Sequence, residues 1–321
     1  MFGIHIHKKG FKSLAKAITY YVDDAKDNYD TNMGCCQIFA YGPQNSRLNL
    51  KHADIESINQ LYKDNVIKRI YVHSAYISPL NGTKPANDLI IDQLFVANQI
   101  NAEGLIVHLK NVGDTKKDKQ NKSESEQIQQ SIEKITKFAT NLAHKIKEFS
   151  EKKNIDLSKT IIYLEHVKSA SFINYTNPLN LANLMNSIHE SLTQEDLHKY
   201  VTYGICLDSA HIYINGIDLQ TKKMMKDYIK TLSGNLKYFF NTLIHMNDSQ
   251  NDLGSHIDLH RYIGYKIWKE YEEKQNWQDS GILYLLKWCK KNNIDFIFEI
   301  NDLKDLPYAF NFMNIMQQKY L

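Results

Sequence analysis

LIHMNDSQNDLGSHIDLH, residues 243–260, opens as an apolar strand and turns into a polar loop. His245 ends the apolar run Thr242-Leu243-Ile244, at the point where a buried strand would surface. Asp258 and His260 lie two apart, so an extended backbone points both side chains to one face. Three residues able to bind a metal thus gather at a strand end and in the loop behind it. GICLDSAH, residues 204–211, repeats the arrangement: an apolar run, then Asp208 and His211 at its end.

Outward from these two stretches, short apolar runs recur along the whole chain. They are residues 3–7 (GIHIH), 36–41 (CQIFAY), 69–73 (RIYVH), 104–108 (GLIVH), 160–165 (TIIYLE), 203–208 (YGICLD), 241–245 (NTLIH) and 295–299 (DFIFE). Near-continuous apolar runs of this length fit parallel strands covered on both faces. Helical stripes lie between them: Phe11, Leu14, Ala15, Ile18 and Val22; Ile55, Ile58, Leu61 and Tyr62; Ile282, Leu283, Leu285, Leu286 and Cys289. Ser123-Glu124-Ser125-Glu126 has capping-box form and predicts a helix over roughly 127–153. Eight β-then-α units without a Pro/Gly-rich linker predict an α/β fold, a single (β/α)8 barrel domain over residues 1–321. Residues 110–122, KNVGDTKKDKQNK, read as a solvated surface loop after the fourth strand, with contact to a DNA backbone as the alternative.

Composition narrows the class. A chain of 321 residues admits one large barrel or two ordinary domains. Hydrophobic content of 43% and aromatic content of 11% suit a packed core. No apolar run reaches about 18 residues, so no membrane span is expected. The start, MFGIHIHKKG, lacks the apolar region of a secretory signal. Cys35, Cys36, Cys206 and Cys289 are too few and scattered for a disulfide framework. They predict inert thiols in a reducing, intracellular compartment: cytoplasm or nucleus, with a virion also open. The net charge of +3 is only mildly basic, so the case for a nucleic-acid partner must come from the site.

Most of the apolar runs end in a residue that can bind a metal: His7, His73, His108, Glu165, Asp208, His245 and Glu299, with His211, Asp258 and His260 close behind. In a barrel enzyme the catalytic groups sit at the C-terminal ends of the strands. One histidine after an apolar run is an ordinary core residue more often than a ligand, and D-x-x-H or D-x-H alone is weak. The same residue kind at the same place in nearly every unit is hard to obtain by chance. Histidines and carboxylates without cysteine favour zinc or manganese over thiolate or calcium sites. With His7 set aside, nine candidates remain, too many for one tetrahedral zinc and suited to three metals sharing a bridging carboxylate. Three divalent cations outweigh the four carboxylates, so the recessed site would be positive. It would suit an anionic substrate, and a phosphodiester fits.

Other readings stay open at this point. Ile4-His5-Ile6-His7 places H-x-H on the first strand, as in amidohydrolases and polymerase-and-histidinol-type phosphatases. A sugar isomerase shares the barrel but needs fewer ligands. A non-catalytic, metal-containing DNA-binding protein is a third option.

The residues resemble the endonuclease IV family of abasic-site endonucleases over nearly the whole chain. HMNDSQNDLGSHIDLHRYIG (residues 245–264) is very similar to that family's H-x-N-D-S-x-x-x-x-G-S-x-x-D-x-H-x-x-I-G. GICLDSAHIYINGIDL (204–219) looks like its G-x-C-x-D-T-C-H-x-x-x-A-G-x-D, and VHSAYISPL (72–80) follows its H-x-x-Y-x-x-N-L. The resemblance implies three zinc ions, with manganese an option at the third. His73 and His108 would hold the first, and Glu165 would bridge it to the second. Asp208, His245 and Glu299 would complete the second. His211, Asp258 and His260 would hold the third. The implied reaction is metal-dependent hydrolysis 5′ to an abasic site in duplex DNA, with Glu165 and Glu299 in catalytic roles. It leaves a 3′-hydroxyl and a 5′-deoxyribose phosphate, with 3′-end cleaning and 3′-to-5′ exonuclease action as companion activities. Tyr76, with Ile77 beside it, would wedge into kinked DNA. Gln44, Arg47 and Arg261 are further expected DNA contacts, and His7 an outer-sphere or substrate-side group with His5 structural. A monomer is expected.

Departures from the family pattern spare the ligands. They are His108-Leu109-Lys110 for H-P-G, Glu165-His166-Val167-Lys168-Ser169 for E-N-x-A-G, Glu299-Ile300-Asn301 for E-T-P, and Gln44 where an arginine is usual. They predict a divergent member. Cys206 matches a strand cysteine of the family and reads as buried packing.

Overall fold

Alternation along each apolar run sorts its side chains between two environments, and that sorting builds the barrel. The computed structural model describes residues 1–44, 46–48, 50, 52–109, 123–168, 174–300 and 302–321. The elements are β1 (Phe2–Ile6), α1 (Leu14–Tyr29), β2 (Cys35–Phe39), α2 (His52–Lys63), β3 (Arg69–His73), α3 (Lys84–Gln99), β4 (Gly104–His108), α4 (Glu124–Lys153), β5 (Ile161–Glu165) and α5 (Pro178–Gln194). They continue with β6 (Tyr203–Asp208), α6 (Ser209–Ile214), α7 (Lys222–Asn235), β7 (Thr242–His245), β8 (Asp248–Ser249), β9 (His260–Arg261), α8 (Lys269–Glu273), α9 (Gly281–Asn292), β10 (Asp295–Phe298) and α10 (Leu306–Lys319). Eight parallel strands close in the order β1-β10-β7-β6-β5-β4-β3-β2, so the fold is a (β/α)8 barrel.

One set of strand residues faces the helices: Ile4, Cys36, Ile70, Leu105, Ile162, Ile205, Ile244 and Phe296 belong to the large core beneath them. The alternate set points into the barrel. Cys35, Tyr71, Ile106, Tyr163, Cys206, Leu243 and Ile297 fill its lower interior as one apolar cluster. Two residues further along each strand, on the same face, the inward residue is polar on every strand: His5, Gln37, His73, His108, Glu165, Asp208, His245 and, one residue past β10, Glu299. Strand register sets these residues side by side. His5 aligns with Gln37, His108 with Glu165, and Asp208 with His245.

Below the apolar layer Asp295 closes the barrel floor. It accepts from the Tyr71 hydroxyl at 2.9 Å, Arg69 at 3.1 Å and the N-terminal ammonium at 2.6 Å.

The expected strands are present, three of them with the expected bounds and five differing at their ends by one or two residues. His7 falls beyond β1, and this matters for the site below. α4 starts with the expected capping box, Ser123 and Glu126 each bonding the other's backbone N–H. The loop expected to end at His260 carries one feature not foreseen, the short antiparallel pair β8–β9. Residues 110–122, expected as a surface loop, lie outside the described residues. No helix among the described residues is long and apolar enough to cross a membrane.

Candidate metal centre

Glu165 is the hub. It is buried at the end of β5, and its Oε2 lies 3.2 Å from His73 Nε2 and 3.3 Å from His108 Nε2. Its Oε1 lies 3.2 Å from His245 Nδ1 and 3.4 Å from His211 Nδ1. His245 Nδ1 also stands 3.2 Å from Glu299 Oε2 and 3.9 Å from Asp208 Oδ2. His260 Nε2 approaches Asp208 Oδ2 at 3.7 Å and Asp258 Oδ1 at 3.1 Å, while His211 Nε2 reaches Asp258 Oδ2 at 3.2 Å. All nine candidate ligands therefore meet in one place. Ligand atoms gather within 4.8 Å in the sets His73–His108–Glu165, Glu165–Asp208–His245–Glu299 and Asp208–His211–His260.

Local structure explains how distant segments supply this set. Asp208 ends β6 and caps α6, accepting from the His211 N–H at 2.8 Å, so D-x-x-H delivers both residues from one turn. Asp258 and His260 come from the loop closed by β8–β9. Asp248 clasps that loop by accepting from the backbone N–H groups of Ser249, Gly264 and Ile267 at 2.7, 2.9 and 2.6 Å. Gly264 sits at φ 95°, and a Cβ there would lie 2.6 Å from Glu272 Cβ, so the clasp requires glycine.

The buried atoms at the centre fit a divalent cation. Glu165 Oε1, His211 Nε2, His245 Nδ1 and His260 Nε2 are all buried without a hydrogen-bond partner, a costly state for a polar group. On three of the site's histidines the opposite ring nitrogen is occupied. His73 Nδ1 and His211 Nδ1 each donate to a carbonyl, of Ser74 and His166, at 2.8 Å, and His245 Nε2 donates to Gln37 Oε1 at 2.7 Å. Each bond leaves the facing nitrogen's lone pair aimed at the cluster, the arrangement that orients metal-binding imidazoles.

Charge is concentrated here. Burial opposes ionisation of Glu165, yet His245 and His108 hold its pKa well below the usual carboxylate range. Glu299 is drawn down to about 2, burial being overcome by His245 in spite of Glu165. At Asp208 burial wins and the pKa rises, although His211 and His260 pull it down. Burial resists charging His260, but Asp208 and Asp258 lift it to about 9. Four carboxylates and five imidazoles in one recess, with no Lys or Arg among them, form a hard-to-borderline donor set suited to zinc or manganese.

The outer predicted residues are placed as follows. Tyr76 and Ile77 are half exposed at the rim, 48% and 50%. The Tyr76 ring stacks on His108 at 5.3 Å and meets His73 and Phe39 edge-on. Gln44 and Arg47 are exposed on the loop after β2, and that loop touches the rim through the Tyr76 N–H bond to Pro43. Arg261, its side chain 27% exposed, is held by its own chain. Its guanidinium grips Asp305 at 2.7 and 3.1 Å and lies 4.1 Å from the Tyr265 ring centre. His5 and His7 differ in burial. His7 is exposed, 4.6 Å from His5 between ring centres, whereas His5 is buried and bonded into the network around the cluster. The reason is the strand end: β1 stops at Ile6, so His5 takes the inward place.

Sequence reading missed Gln37 and Asn247. Asn247 donates to Asp208 Oδ2 at 2.6 Å and Glu299 Oε2 at 3.1 Å and accepts from the Glu299 N–H at 2.8 Å. The N-D-S motif pointed to this segment, but not to its bonds. Cys206 is buried packing as expected, its thiol pushed up to about 12 by burial, and its sulfur lies within 4.8 Å of a ligand atom of Glu165 and of His245.

No family model matches the chain. Among curated proteins it is 27% identical over 303 residues to the probable endonuclease 4 of Mycoplasmopsis pulmonis, covering 89% of this chain and 95% of that one. It is 22% identical over 274 residues to the probable AP endonuclease of African swine fever virus (isolate Tick/South Africa/Pretoriuskop Pr4/1996), covering 83% and 78%. Among solved structures, endonuclease IV from Thermus thermophilus superposes with a TM-score of 0.66 at 17% identity, over 99% of this chain and 98% of that one. At that identity the likeness is one of fold.

Proposed function

We propose that the chain is a divergent member of the endonuclease IV family and hydrolyses the phosphodiester 5′ to abasic sites in duplex DNA. The observation that carries this reading is the convergence of nine ligand-type residues, with Glu165 Oε1, His211 Nε2, His245 Nδ1 and His260 Nε2 buried and unpartnered among them. We assign three zinc ions to it. His73 and His108 would hold the first, Asp208, His245 and Glu299 the second, and His211, Asp258 and His260 the third, with Glu165 shared by the first two. Bound divalent cations supply Lewis-acid stabilisation of the phosphoryl oxygens and activation of water. The protein's own part is to fix that donor set, exclude bulk water and present the lesion.

Presentation falls to the rim. Tyr76 stacks on His108, with Ile77 exposed beside it in sequence, and the pair is suited to wedge into the gap in kinked DNA. An abasic nucleotide forfeits little stacking on extrusion, so selectivity follows in part from that low cost. The products are a 3′-hydroxyl and a 5′-deoxyribose phosphate, and the same donor set suits removal of 3′-blocking esters and exonuclease action. A sugar isomerase has no use for the third set, His211–Asp258–His260.

The test is incision of a duplex carrying one tetrahydrofuran abasic analogue, with chelator present and no magnesium added. The analogue cannot undergo β-elimination, so a cut on its 5′ side must be hydrolytic. Absence of incision with every divalent metal supplied, on folded protein, would overturn the proposal.

A further inference from the structure

Of the eight inward polar residues at the top of the barrel, six are candidate ligands and two are not. The two, His5 and Gln37, are neighbours in register on β1 and β2. Gln37 is completely buried, and all its amide hydrogen-bonding groups are engaged. Nε2 donates to Glu299 Oε1 at 2.7 Å and stands 2.8 Å from His5 Nδ1, while Oε1 accepts from His245 Nε2 at 2.7 Å. We propose that Gln37 is a positioning residue that fixes the ring orientation and tautomer of His245 and the rotamer of Glu299, with His5 securing Gln37 in turn.

The bonds dictate one another. An ionised carboxylate only accepts, so the amide end facing Glu299 must be the NH₂. Its second hydrogen then reaches His5 Nδ1, which must be the accepting nitrogen. The carbonyl end is left for His245, so His245 carries its proton on Nε2 and offers the lone pair of Nδ1. That is the nitrogen 3.2 Å from both Glu165 Oε1 and Glu299 Oε2. His73 and His211 rely on backbone carbonyls for the same purpose. His245 uses a side chain, so this one support can be removed by substitution without altering the backbone. The proposal rests on the reading of His245 and Glu299 as metal-binding residues, not on the identity of the DNA substrate.

The experiment compares zinc-loaded wild type with Gln37→Met and Gln37→Glu. Metal release to a chromogenic chelator is followed in time, and the His245 tautomer in metal-free protein, at an alkaline pH where its ring is neutral, is read by long-range ¹⁵N–¹H NMR. Gln37→Met removes all three bonds. One ion should leave at least about ten-fold faster, the scale for loss of an outer-sphere partner, while the rest leave at the wild-type rate. Gln37→Glu keeps an acceptor for His245 and loses the donor to Glu299, so the tautomer should persist while release still quickens. If Gln37→Met fails to fold, Gln37→Glu decides alone. Release within two-fold of wild type in the folded variants, or an unchanged His245 tautomer in Gln37→Met, would overturn the proposal. Selective metal loss beside a wild type that never incises abasic DNA would uphold the positioning role and remove the DNA reading instead.

Discussion

His245 Nδ1 and Glu165 Oε1 lie 3.2 Å apart, both buried, and neither makes a hydrogen bond. Two such atoms facing each other are a liability in a buried barrel interior unless a cation lies between them. Glu165→Gln keeps the shape and removes the charge. We expect the protein to fold, to lose metal from the shared position, and to lose incision by roughly a thousand-fold or more, at or beyond the loss of one strong electrostatic group. Elemental analysis beside the incision assay checks this. Full metal content with near-normal turnover would refute it.

Stripping the metals should lower stability as well as activity. Ligands that bind only the folded state stabilise it by about 4 kcal/mol at a thousand-fold excess over Kd. Dialysis against a strong chelator should therefore lower Tm by several degrees, with zinc restoring it. An unchanged Tm with proven loss of metal would mean that the bare cluster carries no strain.

Asp248 offers a pH test away from the ligands. Burial pushes its carboxyl up to about 6, only partly offset by the backbone N–H groups of Ile267, Ser249, Gly264 and Lys266. A carboxyl whose pKa rises on folding binds its proton more tightly in the native state. Its stabilising contribution is complete below the unfolded value, near 4, and is lost as pH rises through about 6. Over those roughly two units the loss is about 3 kcal/mol. Asp248→Asn cannot titrate, so the stability gap between the proteins should shift by about that amount in the variant's favour from pH 4 to 7. Urea denaturation at stepped pH measures it, and the difference between the two proteins cancels the histidine titrations common to both. A gap constant with pH would place the carboxyl at its ordinary value.

Why His245 and its kin were legible, and Gln37 was not, follows from what a strand end reveals. Histidine and carboxylate after an apolar run break the run's character, so His73, His108, Glu165 and Asp208 announce themselves. Gln37 sits inside its run, one residue after Cys36 and one before Ile38, and looks like a lapse in an apolar strand. The period of two held the missing information. Counting two residues on from Cys35, the inward apolar position, reaches Gln37, as counting on from Tyr71 reaches His73. The same count from Gly3 reaches His5 and not His7. The barrel itself was readable because eight runs and their spacing leave few topologies. Asp248 was not: its role depends on Gly264 and Ile267, whose approach only tertiary structure creates.

Tyr76 and Ile77 separate recognition from chemistry. Both are half exposed, so Tyr76→Ala or Ile77→Ala should cost little stability. Tyr76→Ala should weaken binding to abasic duplex by about 1–3 kcal/mol, the range for an aromatic stacking group. Tyr76→Phe keeps the ring on His108 and should retain most of the affinity. Metal content should stay at the wild-type level in all three. If Tyr76→Ala binds abasic and intact duplexes as the wild type does, the wedge role fails.

Arg261 distinguishes a structural cation from a DNA contact. It follows His260 directly, so anything that moves it moves a candidate ligand. Its two bonds to Asp305 and its packing on Tyr265 tie the β9 segment to the start of α10. Lysine cannot reproduce the fork. Because the Arg261 side chain is 27% exposed, Arg261→Lys should cost only about 1 kcal/mol of stability. The same substitution keeps the charge, so binding to intact duplex should hold its affinity and salt dependence, whereas Arg261→Ala would lower the salt slope by about one if the residue met a phosphate. Fluorescence anisotropy at several salt concentrations, beside thermal unfolding, reads both quantities. We expect reduced Tm with an unchanged salt slope in both variants. A lowered slope in Arg261→Ala would overturn this expectation and support the residue as a DNA contact.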